Sequence, residues 1–244
     1  MRVLEDGHTM YPESGSPQGG VVSPIIANIY LHEVLDSWFE REVKPRMSGE
    51  ASLVRYADDA VLFFEREQDA RKVMAVLSKR FDKYGLTLHP EKTRLVEFRR
   101  PDRRAHLVRE DAPRRPGTFD FLGFTHYWGK NRFGKWLVMR STAKDRFRRA
   151  LKRISEWCRD HRHYEVKEQW QTLSRKLRGH FAYYGIVGNH EALDRFRYGV
   201  RRTWRRWLNK RSQRARMKWD RMQKLLDRYP LPRSRIMHPR AANP

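Results

Sequence analysis

The stretch RYADDAVLFF (55–64) constrains the fold most, because it places two adjacent aspartates between residues that favour buried strands. Alternating residues from 52 to 64 predict two strands with Asp58 and Asp59 at the tip between them. One interpretation is a solvent-exposed turn, since aspartate favours turns. The other is a clamp for divalent metal, because adjacent carboxylates repel unless a cation compensates them. Mg²⁺ is the natural occupant of such hard oxygen ligands.

The sequence around this hairpin predicts a layer of helices and strands. Ser23 is a candidate N-cap with Pro24 at the first helical position, and a second helix is expected to end at Gly85. The segment LTLHPEKTRLVEF (86–98) is expected to form strand, turn and strand. This order is typical of an α+β fold with helices on one face of an antiparallel sheet.

The rear part of the chain is predicted to be a small β element followed by helices alone. Residues 99–118 are polar and contain prolines, as expected of an exposed connector, and residues 119–139 carry glycines at plausible turn positions. From residue 142 the apolar residues recur at helical spacing in four stripes, with burial favoured for Trp204 and Trp207.

Charge is distributed unevenly along the chain. Residues 1–97 carry 13 Lys and Arg against 16 Asp and Glu, whereas residues 141–229 carry 26 against 9. A strongly basic rear half indicates RNA or DNA as partner, with a generic basic protein as the alternative. No run of 18 apolar residues predicts a membrane span, and the single Cys158 excludes an internal disulfide and a cysteine-based zinc site. The chain is expected to be soluble and cytoplasmic.

Several motifs resemble, in order, the palm of a reverse transcriptase. GSPQGGVVSPIIANIYL precedes YADD, and GLTLHPEKT and FDFLGF follow it. Their order and spacing are similar to the reverse transcriptases encoded by group II introns. Further along, LRGHFAYYGIVGN, RFRYGVRRTWRRWLNKR and YPLPRSRIMHP resemble the thumb, or maturase X, region of that family.

This resemblance implies a partial polymerase palm that lacks the fingers, followed by an all-helical thumb bundle. The implied divisions are a partial palm over 1–125, a primer-grip-like β element over 126–141, a helical thumb over 142–229 and a basic tail over 230–244. The implied partners are group II intron RNA, an RNA template with a DNA primer, and a deoxynucleotide, with Mg²⁺ as cofactor. Neither the particular intron nor the oligomeric state follows from the sequence.

The resemblance also implies roles for particular residues. Asp58 and Asp59 would hold catalytic Mg²⁺, and Lys92 would neutralise or protonate the leaving pyrophosphate. The other implied sites are a nucleotide and template cleft (Gln18, Gly19, Gly20, Tyr56, Ala57), a primer grip (Phe121, Leu122, Gly123, Phe124) and arginines that track RNA phosphates (Arg201, Arg202, Arg205, Arg206).

One element of the family pattern is missing. A polymerase palm needs another aspartate on an earlier strand, and Asp6 lies in a segment that resembles a loop. We therefore expect the chain to be the C-terminal part of a longer enzyme and to polymerise weakly or not at all in isolation. Two functions remain open: RNA-directed DNA polymerase with a maturase role, and a non-catalytic module that binds intron RNA.

Overall fold

The computed structural model describes residues 22–101, 117–212 and 216–238, together with the backbone of two short strands near the N-terminus. The chain divides into two compact units, Met1–Val96 and Glu97–Pro244. Helices and small antiparallel sheets occur together, which confirms a mixed helix and sheet fold. The four-part division expected from the sequence stays a prediction.

The described residues of the first unit form two hairpins, with one helical segment before the second hairpin in the sequence and one helix after it. Its elements are β1 (Val3–Glu5), β2 (His8–Met10), α1 (Ser23–Leu31), β3 (Ala51–Tyr56), β4 (Asp59–Phe64) and α2 (Glu67–Lys83). After α1 the helical path continues in wider π-type turns over His32–Ser37 and Phe39–Val43, and ends in a 3-10 turn over Lys44–Arg46. β1 pairs with β2 and β3 with β4, both antiparallel.

The core of the first unit lies between the inner face of the β3–β4 hairpin and two helical segments. Val34, Phe39 and Val73 are almost fully buried at its centre. Strand residues Leu53 and Leu62, which are directly paired, pack against this cluster. Because side chains alternate along a strand, this packing points Val54 and Tyr56 away from the core.

Asp69, near the start of α2, is buried and ties down the chain that leads into β3. Its carboxylate accepts hydrogen bonds from the backbone N–H of Ser48 at 2.8 Å, the Ser48 hydroxyl at 2.9 Å and the N–H of Gly49 at 3.1 Å. Burial works to raise the pKa of Asp69, but these hydrogen bonds, with a contribution from Lys72, outweigh it and lower the pKa below the usual value.

The beginning of α1 differs from the sequence prediction. The helix begins at Ser23 with Val22 at the cap position, so Ser23 is not the N-cap. Pro24 is the second helical residue and not the first, but it still lies in the first turn, where a missing N–H is tolerated. The sequence also predicts one apolar face from Ile25 to Phe39, of which Leu35, Trp38 and Phe39 are buried. Eleven large apolar residues in the described part of this unit form what we call the exposed apolar residues of the first unit: Val22, Ile25, Ile26, Ile29, Tyr30, Val54, Tyr56, Phe63, Met74, Val76 and Leu95.

The expected strands within residues 86–98 are not formed. A turn is present at the predicted place, where the N–H groups of Lys92 and Thr93 both donate to the carbonyl of His89. The flanking residues have no regular secondary structure. A strand requires a hydrogen-bonded neighbour, and among the described residues β3 and β4 pair only with each other.

The described residues of the second unit form a three-stranded antiparallel sheet and four helices. Its strands follow the order β5 (Phe119–Phe121), β6 (Phe124–Lys130) and β7 (Trp136–Thr142). The helices are α3 (Lys144–Asp160), α4 (Val166–Tyr184), α5 (His190–Leu208) and α6 (Trp219–Arg228). The predicted β element and the four helical stripes are therefore confirmed. No helix among the described residues is both long and apolar enough to cross a membrane.

Two buried amides hold the second unit together. The side-chain N–H groups of Gln169 donate to the carbonyls of the turn before α4, and its oxygen accepts a 2.8 Å hydrogen bond from the indole of Trp204. Trp204 is fully buried, as predicted, and Trp207 is half-buried. Asn189 makes reciprocal hydrogen bonds of 2.9 Å with Thr142, which joins the end of β7 to the turn between α4 and α5.

Candidate active site and nucleic-acid interface

The aspartate pair lies at a tight hairpin turn, as the sequence predicts. Tyr56 pairs with Asp59, so that Ala57 and Asp58 form a two-residue connection between β3 and β4. Ala57 has φ of +52°, a conformation that non-glycine residues rarely adopt but that short hairpin turns require. Both carboxylates are exposed, and Tyr56 beside them is 67% exposed. The turn therefore presents two adjacent carboxylates to solvent.

Arg55 anchors this turn to the helical segment before it. Its guanidinium donates two hydrogen bonds to the carboxylate of Asp36, at 2.7 and 2.6 Å, and a third of 2.9 Å to the side-chain oxygen of Asn28. A further N–H bond of 2.8 Å reaches the carbonyl of Ala57 in the turn itself. The hydrogen bonds from Arg55, opposed by burial, lower the pKa of Asp36. Since only 11% of the Arg55 side chain is exposed, the clamp is well shielded from water.

The donor set at the turn suits a divalent cation. Two carboxylates next to each other supply hard oxygen ligands of the kind that Mg²⁺ prefers, and Mg²⁺ usually keeps several waters besides one or two carboxylates. Among the described residues, no group of three or more His, Cys, Asp or Glu side chains lies together. Asp58 and Asp59 therefore fit part of a metal site, to which other ligands must contribute.

The remaining residues expected at this cleft are not brought to the turn by described contacts. Lys92 is exposed in its own turn, and none of the hydrogen bonds or ion pairs found in residues 22–101 joins its ammonium group to Asp58 or Asp59. Gln18, Gly19 and Gly20 lie outside the residues that the structure describes. Their roles stay predictions.

The FLGF segment forms the tight turn of the β5–β6 hairpin. Phe121 pairs with Phe124, and Leu122 and Gly123 between them have φ of +50° and +78°. Positive φ at both central residues is the geometry of a type I′ turn, which matches the twist of the adjoining strands. Leucine is unusual in this conformation, so the surrounding contacts must hold it there.

Two tyrosines at the end of α4 provide those contacts. The hydroxyl of Tyr183 donates a 2.9 Å hydrogen bond to the carbonyl of Leu122, and its ring stacks on Phe124 with centroids 5.9 Å apart. A Cβ atom at Gly123 would lie 3.1 Å from the hydroxyl oxygen of Tyr184, which is tighter than most such contacts. The hairpin is therefore fitted closely to α4, which FDFLGF alone did not indicate.

The four arginines expected to bind RNA divide into two pairs. Arg201 and Arg205 are half-buried, with their guanidinium carbons 4.8 and 4.3 Å from the ring centre of Trp219 on α6. Arg202 and Arg206 are exposed. The first pair is suited to packing α5 against α6 through cation–π contacts, and only the second pair presents its charge freely to solvent.

The difference in net charge is larger between the two units than between the segments 1–97 and 141–229. Residues 1–96 carry 13 Lys and Arg against 15 Asp and Glu, whereas residues 97–244 carry 40 against 14. Many basic side chains on the helices of the second unit are exposed, among them Arg148 and Arg153 of α3 and Arg178 of α4. Such a surface attracts a polyanion and releases its counterions.

Sequence reasoning missed the residues that position the candidate sites. These are the ion pair of Arg55 with Asp36, the tyrosine pair behind FLGF and the arginines stacked on Trp219, and all depend on contacts between residues 14 or more positions apart. The i, i+4 spacing of Arg201 and Arg205 did place them on one helix face. It could not show that this face is packed against another helix.

Comparisons with known proteins find two regions of similarity, and the first of them extends beyond Val96 into the β5–β6 hairpin. Residues 2–126 match the family described as reverse transcriptase (RNA-dependent DNA polymerase), and residues 147–226 match the group II intron, maturase-specific domain. The group II intron-encoded protein LtrA of Lactococcus lactis subsp. cremoris, and the same protein of strain MG1363, are each 25% identical over an alignment of 251 positions. The alignment covers 76% of this chain and 42% of each relative, so the chain spans about two-fifths of their length. The chain therefore belongs to the reverse transcriptase family, as a group II intron-encoded reverse transcriptase/maturase.

Proposed function

We propose that the protein of which this chain forms part binds group II intron RNA, assists its splicing and copies RNA into DNA. The observation that carries this proposal is the aspartate hairpin within the reverse transcriptase match, on a chain whose second unit is strongly basic and matches the maturase domain. The substrates would be an RNA template, a DNA primer and a deoxynucleotide. A cytoplasmic location is part of the same proposal.

The proposed reaction joins the primer to the nucleotide. The primer 3′-hydroxyl gives its proton to solvent water and its oxygen bonds to the α-phosphorus, while the bond from that phosphorus to the bridging oxygen breaks and pyrophosphate leaves with the electron pair. Mg²⁺, when bound, would supply positive charge for the oxygens of this displacement. Asp58 and Asp59 would hold it, Arg55 would fix their turn, and Lys92 would neutralise or protonate pyrophosphate. Phe121 to Phe124 would support the primer strand.

The two-carboxylate turn does not by itself complete a polymerase site. Two-metal phosphoryl transfer needs ligands beyond two adjacent side chains, and no larger cluster of ligands occurs among the described residues. For this reason we keep a second proposal, that this chain acts alone as a non-catalytic module for intron RNA. Its support is the excess of basic over acidic residues in the second unit.

Primer extension and RNA binding, measured on the same samples, distinguish these proposals. The chain is incubated with an oligo-dT primer on a poly-rA template, deoxythymidine triphosphate and Mg²⁺, while RNA binding is titrated at several salt concentrations. The test variant is Asp58→Ala with Asp59→Ala. The matched control is Asp82→Ala, since Asp82 is an exposed carboxylate on α2.

Extension that disappears only in the double variant would support catalysis by this hairpin. Tight, salt-sensitive RNA binding without extension, unchanged in the double variant, would support a binding module as the activity of this chain by itself, and the same pair of assays on a longer protein that contains the chain would then test polymerisation. A chain that neither extends the primer nor binds RNA at low salt would contradict both proposals.

A further inference from the structure

A cavity of about 330 Å³ lies between α5, α6 and the segment after α6 in the second unit. Its lining includes the buried Leu231 and the ring of Tyr198, which is 53% exposed. Sites for small ligands typically measure roughly 300–1,000 Å³ and combine apolar walls with a few polar groups. The cavity is therefore of the size that admits a single planar ring system and excludes a duplex.

The polar groups of the cavity fit a nucleobase better than a phosphate. Arg197 lines it and donates to the carbonyls of Pro232 at 2.9 Å and Leu231 at 3.3 Å, so its guanidinium is already engaged by the protein. Asp194 also lines the cavity, where its carboxylate accepts a hydrogen bond from the Ser234 hydroxyl and lies 3.0 Å from Nδ1 of His190. Its remaining lone pairs would repel a phosphate but accept a hydrogen bond from an amino group of a base. A neutral aromatic ring with N–H groups fits, because it needs no free guanidinium and can donate a hydrogen bond to the Asp194 carboxylate.

Arg201 forms part of the cavity wall and is held in place by protein contacts. It lines the cavity and donates a long 3.3 Å hydrogen bond to the side chain of Gln223. Its Nε–H is buried and has no hydrogen-bond partner among the described residues.

Charge at the rim suits the backbone that such a base would carry. The guanidinium of Arg202 is exposed and its carbon lies 5.9 Å from the centre of the Tyr198 ring. Single-stranded RNA is bound elsewhere by stacking unpaired bases on aromatic rings while basic side chains follow the phosphates. Tyr198 and Arg202 provide this combination one helical turn apart.

We propose that this cavity holds one unpaired nucleobase of a bound RNA, stacked on Tyr198, with the adjoining phosphate at Arg202. The proposal rests on the proposed RNA-binding function and makes it more specific: the second unit recognises an unpaired nucleotide in addition to the charge of the RNA.

The test compares two RNAs by fluorescence anisotropy: single-stranded r(A)12 and a blunt duplex of 12 base pairs. The variants are Tyr198→Ala, Tyr198→Phe and Arg202→Ala, and the matched control is Tyr164→Ala, because Tyr164 is also 53% exposed but lies before α4. Each titration is repeated at several salt concentrations. All variants alter exposed side chains, and circular dichroism verifies that the fold is kept.

We expect Tyr198→Ala to weaken binding of r(A)12 by roughly 5- to 100-fold, the effect of losing one base–aromatic stack, and to leave duplex binding within about twofold. Tyr198→Phe should bind r(A)12 like the wild type, because the ring is kept. The slope of log affinity against log salt should stay unchanged in Tyr198→Ala and fall by about 0.7 in Arg202→Ala.

Equal losses on both RNAs, no loss on r(A)12, or the same loss in Tyr164→Ala would each overturn the base pocket while leaving RNA binding itself intact. A wild-type chain that binds neither RNA would refute the proposed function, and with it the pocket. The two failures are therefore distinguishable.

Discussion

Mild acid should destabilise the second unit through His180, a residue of α4 at the edge of the helical core. Its ring stacks on Phe196 with centroids 3.7 Å apart and lies 4.6 Å from the ring of Tyr184. Its Nε2 is buried and has no hydrogen-bond partner among the described residues. Burial lowers the pKa of His180 from 6.5 to about 4, because the charged form cannot be solvated there.

The magnitude follows from the two protonation states. Because the folded pKa lies below the unfolded value of 6.5, the unfolded chain binds the extra proton first as the pH falls. The stability that His180 contributes as a neutral ring is complete above pH 6.5 and is lost as the pH drops towards 4. Linkage gives about 2 kcal/mol for a fully buried ring at pH 5.0, and solvent screening of this half-buried ring reduces the expected loss to about 1 kcal/mol.

Urea unfolding followed by tryptophan fluorescence measures this effect. Seven of the eight tryptophans lie in residues 97–244, so the signal reports mainly on the second unit. The free energy of unfolding is determined at pH 7.5 and 5.0 for the wild type, for His180→Gln and for His163→Gln, in which an exposed histidine is replaced. The wild type and the His163 variant should lose about 1 kcal/mol more than the His180 variant. Equal losses in all three proteins would show that burial of His180 is not coupled to folding.

Three further substitutions test interactions that stabilise each unit internally. Because the pKa of Asp69 is lowered in the folded chain, the stabilisation that its carboxylate provides is lost as the group is protonated below about pH 4. Asp69→Asn should not show this loss in an acid titration followed by circular dichroism, and an acid transition like that of the wild type would contradict the reasoning. Gln169→Leu should cost about 2 kcal/mol in thermal unfolding, because it leaves the buried indole N–H of Trp204 without an acceptor, while the three carbonyls keep other donors. Gln171→Leu, at an exposed position, should cost under about 0.5 kcal/mol, and equal costs in the two variants would contradict the role of Gln169. Arg55→Lys keeps the charge but loses the planar guanidinium that bonds Asp36 through two N–H groups, so amide hydrogen exchange at the aspartate turn should accelerate about tenfold or more. No such change is expected in Arg71→Lys, and equal exchange rates in both variants would argue against the role of Arg55.

Periodicity predicted the elements that bury one continuous face. The β3–β4 hairpin occupies 51–64 where 52–64 was expected, because alternating apolar residues and a turn specify both strands locally. The four apolar stripes after residue 142 all lie on helices for the same reason. The aspartate pair and the FLGF turn were located by their motifs, and both are indeed tight hairpin turns.

Features that depend on a distant partner were not predictable. Residues 86–98 have the composition of strands but pair with no described strand, so they stay irregular. Apolar residues recur from Ile25 to Phe39, yet those of α1 up to Tyr30 are exposed, and full burial begins at Val34, beyond the end of α1. Arg201 and Arg202 are neighbours in the sequence, and only the position of Trp219 gives them different surroundings. In each case the local sequence alone does not determine the structure or the burial of these residues, and contacts with residues distant in the sequence do.

The exposed apolar residues of the first unit have a practical consequence for the study of this chain. Monomeric proteins rarely leave large contiguous apolar patches uncovered, and such patches promote association. At low ionic strength the net charge of +24 keeps molecules apart, but salt screens this repulsion over about 10 Å at 0.1 M. Added salt should therefore release RNA and favour self-association of the protein at the same time. Light scattering beside every salt titration will separate a lost RNA contact from a change in colloidal state.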